Sequence, residues 1–313
     1  MLKLMQNEWM KLWSKKGTWV MAGLLVVMVA GMSGLSKWIG TMNDNGEQNW
    51  KTYVQEELTY TQEQLGDSTL VKSERERLED KEKVFEYRLA NSVAPLDSFS
   101  RENMIMDSSG IGSFVVLLTV IVAAGIVASE FSQGTIKMLL SRPVKRWKIL
   151  TAKFIAVNVF GIMLMLVGFV VSIICAYILF PASSGQELVW NGKEVVAASV
   201  WGKGLYMLLL SFVNVFVTAT FAFMIGSVFR SSSLAIGLSL FIYFMGSTVV
   251  MVLAKYEIVK YIIFTHMDLT IYESDFRIVE GVTMSFSLAV LAVYLLIFLV
   301  ISYMTFIKRD ITA

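Results

Sequence analysis

The stretch SSGIGSFVVLLTVIVAAGIVAS, residues 108–129, contains no Asp, Glu, Lys or Arg and decides the fold class. A helix needs about 20 predominantly apolar residues to cross the hydrocarbon of a bilayer, and this stretch is long enough. The whole chain of 313 residues is 56% apolar and 17% charged, against about 25% charged in soluble proteins, and its mean hydropathy is +0.62. This composition excludes a soluble enzyme, a disordered protein and a nucleic-acid binder.

Five further charge-free stretches have the same character. We therefore predict an all-α polytopic membrane protein with six transmembrane helices, at residues 17–36, 108–129, 154–180, 204–229, 231–254 and 281–307. None of these spans contains an ionisable Asp, Glu, Lys or Arg, which argues against a proton- or ion-coupled transporter.

The distribution of Lys and Arg predicts the orientation. With the N-terminus inside, the inner segments carry 13 Lys/Arg and 3 acids, while the short outer loops 187–203 and 255–280 carry 5 Lys/Arg and 7 acids. Basic residues favour the cytoplasmic side. We therefore expect a multi-pass protein of the cell membrane with both termini cytoplasmic.

Two segments outside the spans have helical periodicity. Residues 1–16 carry apolar side chains at helical spacing with polar ones on the other face, as an interfacial helix does, and Trp9 and Trp13 lie on the apolar face. Residues 37–107 carry 9 basic and 15 acidic groups, and their apolar stripes flank turn residues at Gly66. We expect the second segment to form an antiparallel helical hairpin on the extracellular side.

Residues 255–280 resemble neither a plain loop nor a span, because apolar positions alternate with charges. We interpret them as an extracellular re-entrant region before the sixth span. His266, the only histidine, lies near Asp268, Glu273 and Asp275. A weak cation site is conceivable there, but a polar surface loop is the simpler interpretation.

The segment 130–148 after the second span carries the most information. Gly134-Thr135 permits a sharp change of direction, and Pro143 ends a short amphipathic helix. Apolar residues, Leu139 and Leu140 among them, then lie between basic ones. Such a segment fits either a protein contact or an interfacial helix on acidic lipid.

This segment resembles the signature of the membrane subunits of type-2 ABC exporters: an acidic residue, a Gly-Thr pair, a Leu pair, a Pro, an Arg and a Lys entering the next span. The matching residues are Glu130, Gly134, Thr135, Leu139, Leu140, Pro143, Arg146 and Lys153. The order of the spans, the N-terminal helix and the long outer insertion extend the resemblance over nearly the whole chain. The layout is similar to that of Gram-positive bacitracin-type exporters of drugs and antimicrobial peptides.

The resemblance implies a permease whose coupling helix, 130–148, docks on two separately encoded ABC ATPase subunits. A second permease copy or a related permease would complete the dimer. The chain has no G-x-x-x-x-G-K-[ST] loop, so it has no nucleotide-binding motif of that type and we expect it not to be an enzyme. No cofactor is expected in this chain, and ATP and magnesium are expected in the partner ATPase.

Besides a structural scaffold without ATP, for which the Glu130-to-Lys153 pattern would be chance, three functions remain open at this point. The first is ATP-driven export of an amphiphilic substrate, since uncharged spans suit such a cargo. The second is a mechanical or signalling subunit that relays ATPase strokes to the extracellular hairpin. The third is a sodium exporter of the same family, because cation sites can be built from backbone and hydroxyl oxygens.

Overall fold

A computed structural model describes residues 1–42, 50–68, 70, 72–136, 144–229, 231–273, 279 and 281–308. The described chain is mostly helical. Its α-helices are α1 (Leu2–Trp13), α2 (Lys16–Met42), α3 (Trp50–Leu65), α4 (Lys72–Asn91), α5 (Arg101–Met106), α6 (Ile111–Ser132), α7 (Arg146–Leu179), α8 (Val200–Val228), α9 (Ser232–Leu253) and α10 (Met284–Lys308). Short 3-10 turns lie at Asp107–Gly110, Glu257–Tyr261, Ile263–Thr265 and Leu269–Tyr272.

Six helical stretches of the described chain are long and apolar enough to cross a membrane, which confirms the predicted number of candidate spans. They are Lys16–Met42, Arg101–Ser132, Arg146–Leu179, Val200–Val228, Ser232–Leu253 and Met284–Lys308. The third begins at Arg146 rather than at 154, because residues 149 and 150 are buried apolar positions that continue the helix toward the N-terminus.

The chain divides into two compact units. The first comprises residues 1–26, 110–168 and 209–313, and the second comprises residues 27–109 and 169–208.

Helix α6 forms the centre of the first unit. Small residues let the neighbouring helices approach its backbone closely. A Cβ atom built on Gly226 of α8 would lie 2.2 Å from the carbonyl oxygen of Ala124. Gly161 of α7 faces Thr119, where a Cβ would lie 3.4 Å from the Thr119 methyl group. Close approach of this kind is how helices pack in lipid, where no hydrophobic effect drives them together.

The second unit contains the predicted helical hairpin. Lys51 Nζ of α3 donates to Ser92 Oγ at 3.2 Å, and Gln62 Nε2 donates to Glu82 Oε1 at 2.8 Å. The numbers of the bonded residues increase along α3 while they decrease along α4, so the two helices are antiparallel. Val54, Leu58 and Leu78 are buried along the seam.

A two-stranded antiparallel sheet, absent from the sequence expectations, packs beside the hairpin in the same unit. β1 (Leu188–Trp190) pairs with β2 (Val195–Ala197), and Trp190 faces Val195 in the register. The buried guanidinium of Arg88 on α4 donates to the carbonyl oxygens of Ala94 at 3.0 Å and Gln186 at 2.8 Å. Burial lowers the pKa of Arg88, and the nearby Glu187 carboxylate partly offsets this.

Residues 257–272 form 3-10 turns that pack against α9 and α10 of the first unit. Phe264 lies on Gly246 of α9, where a Cβ would be only 2.4 Å from the ring. Val259, Ile263 and Leu269 are buried. The segment thus packs into the first unit as short 3-10 turns. Its re-entrant, extracellular position stays a prediction.

Candidate functional site

A cluster of charged side chains lies where α1, α6 and α7 meet in the first unit. We call it the Glu130 cluster, and it comprises Glu8, Lys11, Glu130, Thr135 and Lys153. Lys153 Nζ donates to Glu8 Oε2 at 2.8 Å and to Glu130 Oε1 at 2.9 Å. Lys11 Nζ also donates to Glu130 Oε1, and the Thr135 hydroxyl donates to Glu130 Oε2. Glu130 therefore accepts from three side chains.

The turn between α1 and α2 positions the N-terminal members of the cluster. The buried hydroxyl of Thr18 donates to the carbonyl oxygen of Leu12 at 2.6 Å, and the Trp19 indole donates to the carbonyl oxygen of Trp13 at 3.0 Å. The Trp13 ring also packs against Trp9 and Phe160. These contacts hold α1 against α2 and α7, with Glu8 and Lys11 close to Lys153 and Glu130.

The cluster is buried to an unusual degree for ionised groups. Lys153 is 1% exposed, Glu130 3% and Glu8 6%. Lysine and glutamate are almost never fully buried unless they are paired, since taking a lone charge out of water is costly. Removing Lys153, Glu130 or Glu8 would leave a buried charge without its partner, so these ion pairs hold α1, α6 and α7 together.

Lys15 adds an excess positive charge at the edge of the cluster. Burial lowers its pKa, and repulsion from Lys11 and Lys153 lowers it further, while Glu130 and Glu8 partly compensate. The small space between these residues has a volume of about 10 Å³, close to that needed for one water molecule. The Glu130 cluster is consequently a packed group of ion pairs with no room for a larger ligand.

The chain turns sharply just after α6, and Glu130 holds this turn. Gly134 has φ +70°, a left-handed conformation that glycine adopts without steric cost. Thr135 Oγ1 bonds the Glu130 side chain and also lies 3.4 Å from the Glu130 carbonyl oxygen. Ile136 is buried. The residues that leave α6 are thereby tied back to its last turns.

The structure brings together three of the residues that the sequence singled out, Glu130, Thr135 and Lys153, with Gly134 at the turn before Thr135. Arg146 lies elsewhere: it is the first residue of α7, and its guanidinium donates to the carbonyl oxygen of Ile307 on α10 at 3.0 Å. The predicted Leu139, Leu140 and Pro143 lie outside the described residues. The assignment of Arg146 to the coupling helix 130–148 stays a prediction, because residues 137–143 of that segment lie outside the described residues.

Sequence reasoning missed Glu8 and the pairing of Lys153. The charge-free stretches end at 129 and resume at 154, so Glu130 and Lys153 fall just outside them, yet the folded helices α6 and α7 include both residues. A signal was available, since Glu8 is the only acidic residue among the first 42, where every other charge is basic. A lone acid in such a segment indicates a specific partner.

The His266 side chain, where the sequence allows a weak cation site, is engaged in hydrogen bonds within the protein. Both ring nitrogens of this fully buried side chain are occupied: Nε2 donates to the carbonyl oxygen of Lys260 at 2.8 Å, and Nδ1 accepts from Ser287 Oγ at 2.6 Å. Burial lowers its pKa, and the bond to Lys260 partly offsets this. Glu273 is exposed, and Asp275 lies outside the described residues. Among the residues that are described, no three His, Cys, Asp or Glu side chains lie together as a metal site would require.

The described part of the chain has six apolar helices, and a buried ion pair connects two of them near their ends. These features are typical of a multi-pass helical membrane protein. Residues 70–312 match the family DUF2705, whose description is "Protein of unknown function", and the chain belongs to that family. It is 34% identical over 316 aligned positions to the uncharacterized protein YhcI of Bacillus subtilis, covering 99% of both chains. It is also 30% identical over 200 positions to the uncharacterized membrane protein YdbK of the same organism, covering 62% of this chain and 76% of YdbK.

Proposed function

We propose that this chain is the permease subunit of an ATP-binding-cassette exporter that moves an amphiphilic molecule, such as an antimicrobial peptide, a drug or a lipid-like compound, out of the cell. Two separately encoded ATPase subunits would bind ATP and magnesium and hydrolyse the ATP. The observation that carries the proposal is the Glu130 cluster, which ties α1, α6 and α7 together at the base of the segment resembling the coupling signature.

The Glu130 cluster has the properties needed to transmit movement from one helix to another. A ligand-driven change requires an element whose contacts differ between two states. Packed interfaces switch between discrete arrangements instead of deforming continuously. Glu130 bonds two lysines from different helices as well as the turn at Thr135, so a displacement of that turn changes contacts to α1 and α7 together. In this proposal the ATPase moves the residues after Ile136, and Glu130 passes the movement to the spans.

The proposed topology follows from the charge distribution. Both termini and the segment 130–148 would face the cytoplasm, where Lys and Arg are enriched in membrane proteins. The hairpin of α3 and α4 would then stand outside the cell. A second permease, identical or related, would complete the transport pathway.

The spans favour an amphiphilic cargo over a hydrated ion. The two buried ionic residues within these helices, Glu130 and Lys153, bond one another instead of lining an open path. A chain of unpaired intramembrane carboxylates would instead favour ion coupling.

A mechanical or signalling subunit is the second candidate. The observation in its favour is the well-packed α3–α4 hairpin, whose Arg88 is buried and bonded to the segment before β1. A rigid outer hairpin suits a subunit that receives movement from the ATPase while no substrate crosses the membrane. ATP-dependent efflux from loaded vesicles separates the two candidates, because only the exporter predicts it.

The test is affinity purification of the tagged full chain from its native membranes in a mild detergent, followed by mass spectrometry. The proposal predicts an ABC ATPase subunit in a one-to-one ratio with the chain. A chain that purifies without any nucleotide-binding subunit, at equal yield and in a monodisperse state, would contradict both candidates. The segment after α6 would then be interpreted as a lipid-facing helix.

A further inference from the structure

A cavity of about 210 Å³ lies between α9 and the 3-10 turns that follow it, apart from the Glu130 cluster. Its wall is mostly apolar, with Val250 from α9 and Phe264 and Ile271 from the turns. Polar residues line it at a few points, namely Ser247, Thr265 and Asp268. An apolar pocket with a few convergent polar groups is the usual form of a small-molecule site.

Contacts outside the cavity hold two aromatic side chains of its wall, Phe264 and Tyr272, in place. Phe264 lies against Gly246, where no larger residue fits without displacing the ring. The Tyr272 hydroxyl bonds Ser287 Oγ at 2.5 Å, and Ser287 donates to Nδ1 of the buried His266. This hydrogen-bonded chain anchors Tyr272 from outside the cavity. These two side chains of the wall are consequently held in place by contacts within the protein.

Asp268 supplies the charge. It is exposed at the cavity, and its Oδ1 accepts from the backbone N–H of Thr270 at 3.0 Å and from the Thr270 hydroxyl at 2.6 Å. These bonds fix the carboxylate, which retains further acceptor capacity because an ionised carboxylate offers about four lone-pair sites. A fixed carboxylate beside two aromatic rings is suited to an organic cation, which both groups attract.

We propose that this cavity binds a single-chain amphiphile with an alkylammonium head group, its chain lying along Val250 and Ile271 and its cation against Asp268. The volume is below the roughly 300–1,000 Å³ of sites for drug-sized ligands, so it holds part of one alkyl chain, with the remainder of a longer chain extending out of the cavity, and a folded peptide does not fit. The inference concerns binding by this chain alone and does not depend on an ATPase partner.

The probe is radiolabelled dodecyltrimethylammonium, bound to the purified full chain in a maltoside detergent and displaced by an excess of unlabelled compound. We expect saturable binding that Asp268→Asn weakens about tenfold, since the attraction to the carboxylate is lost. Glu257→Gln, which removes an exposed carboxylate of the neighbouring turn that does not line the cavity, should leave binding unchanged.

A second pair of variants tests the cavity itself. Ser247→Trp should fill the pocket and abolish saturable binding, whereas Thr248→Trp, at the adjacent exposed position of α9, should not. An unchanged elution volume in size-exclusion chromatography shows that each variant folds. Dodecanoate, with the same chain length and a negative head group, should not compete.

Equal competition by dodecanoate, or wild-type affinity in both Asp268→Asn and Ser247→Trp, would overturn the proposal. Competition by dodecylphosphocholine would support it and identify choline-headed lipid as the source of the ligand. Competition by alkylammonium compounds alone would support it with a free cationic amphiphile as the source.

Discussion

The ammonium group of Lys153 on α7 lies 2.8 Å from the carboxylate of Glu8 on α1, although 145 positions separate the two residues in the sequence. The same ammonium lies 2.9 Å from the carboxylate of Glu130 on α6. One buried cation thus bridges the N-terminal helix and the end of the second candidate span. Its removal is the most damaging change that the cluster can undergo.

Lys153→Met should destabilise the protein strongly, because it leaves Glu8 and Glu130 buried without their shared cation. Breaking a buried pair by deleting one partner costs about 3–5 kcal/mol. We expect the apparent melting temperature in detergent to fall by roughly 5 to 15 °C. Lys3→Met, which removes an exposed lysine of the same helix α1, serves as the control and should change it by no more than a degree or two, since surface substitutions are worth about 0.5 kcal/mol or less. Equal melting temperatures for the two variants would show that the cluster contributes nothing to the fold.

The effect of a substitution at Gly134 should depend on backbone strain and not on the size of the new side chain. A Cβ at this position meets nothing within 4 Å, but φ is +70°. Asparagine tolerates this conformation, whereas a β-branched residue in it is a genuine outlier, with a cost of roughly 1–2 kcal/mol. Gly134→Asn should therefore retain the ATPase subunit in the affinity purification, and Gly134→Val should lose it. Full retention by the valine variant would mean that the turn is not part of the docking geometry.

Gly226 should be sensitive to the smallest enlargement. Gly226→Ala places a methyl group against the carbonyl oxygen of Ala124, so α8 must move away from α6 and the melting temperature should fall. The matched control is Gly237→Ala on α9, where a Cβ meets nothing within 4 Å. That variant should be neutral or slightly stabilising, because alanine is the better helix former by about 1 kcal/mol. The reverse order of the two melting temperatures would refute this helix contact.

His266 should make stability dependent on pH below neutrality. Burial lowers its pKa in the folded protein below the ordinary value of about 6.5, so the stability that its neutral form provides is complete above that value and is lost as the pH falls through the unfolded pKa toward the folded one. The melting temperature should therefore drop between pH 7.5 and pH 5.5. His266→Gln removes the titrating group and should flatten this dependence even if the variant is less stable throughout. A steeper pH dependence in the glutamine variant would contradict the assignment.

The sequence predicts the helical framework well because apolar runs of about 20 residues have few alternatives in a membrane protein. The α3–α4 hairpin is equally predictable, since Val54 and Leu58 repeat at helical spacing and Gly66 follows their helix. The two short strands were missed, although Asn191-Gly192 between them is a recognised hairpin signal. Three-residue strands are too short to show an alternating pattern.

The site was predicted only in part, and the physical reason is long-range pairing. Glu130, Gly134 and Thr135 lie close together in the sequence, and a local motif indicates them. Glu8 and Lys153 join the cluster from distant helices, and the sequence alone does not tell which buried charges meet. Arg146 begins α7, which the motif does not indicate, because a motif gives the order of residues but not the point where the next helix begins.

ATP hydrolysis by the reconstituted complex of this chain with its ATPase tests the central claim most directly, because the account assigns transmission to Glu130. In Glu130→Ala, substrate-stimulated hydrolysis should fall to the basal rate while membrane insertion is unchanged. Glu82→Ala, on an exposed helix pair of α3 and α4, should retain at least about half of the stimulation, since such contacts contribute little. Full stimulation in a correctly inserted Glu130→Ala protein would contradict the account.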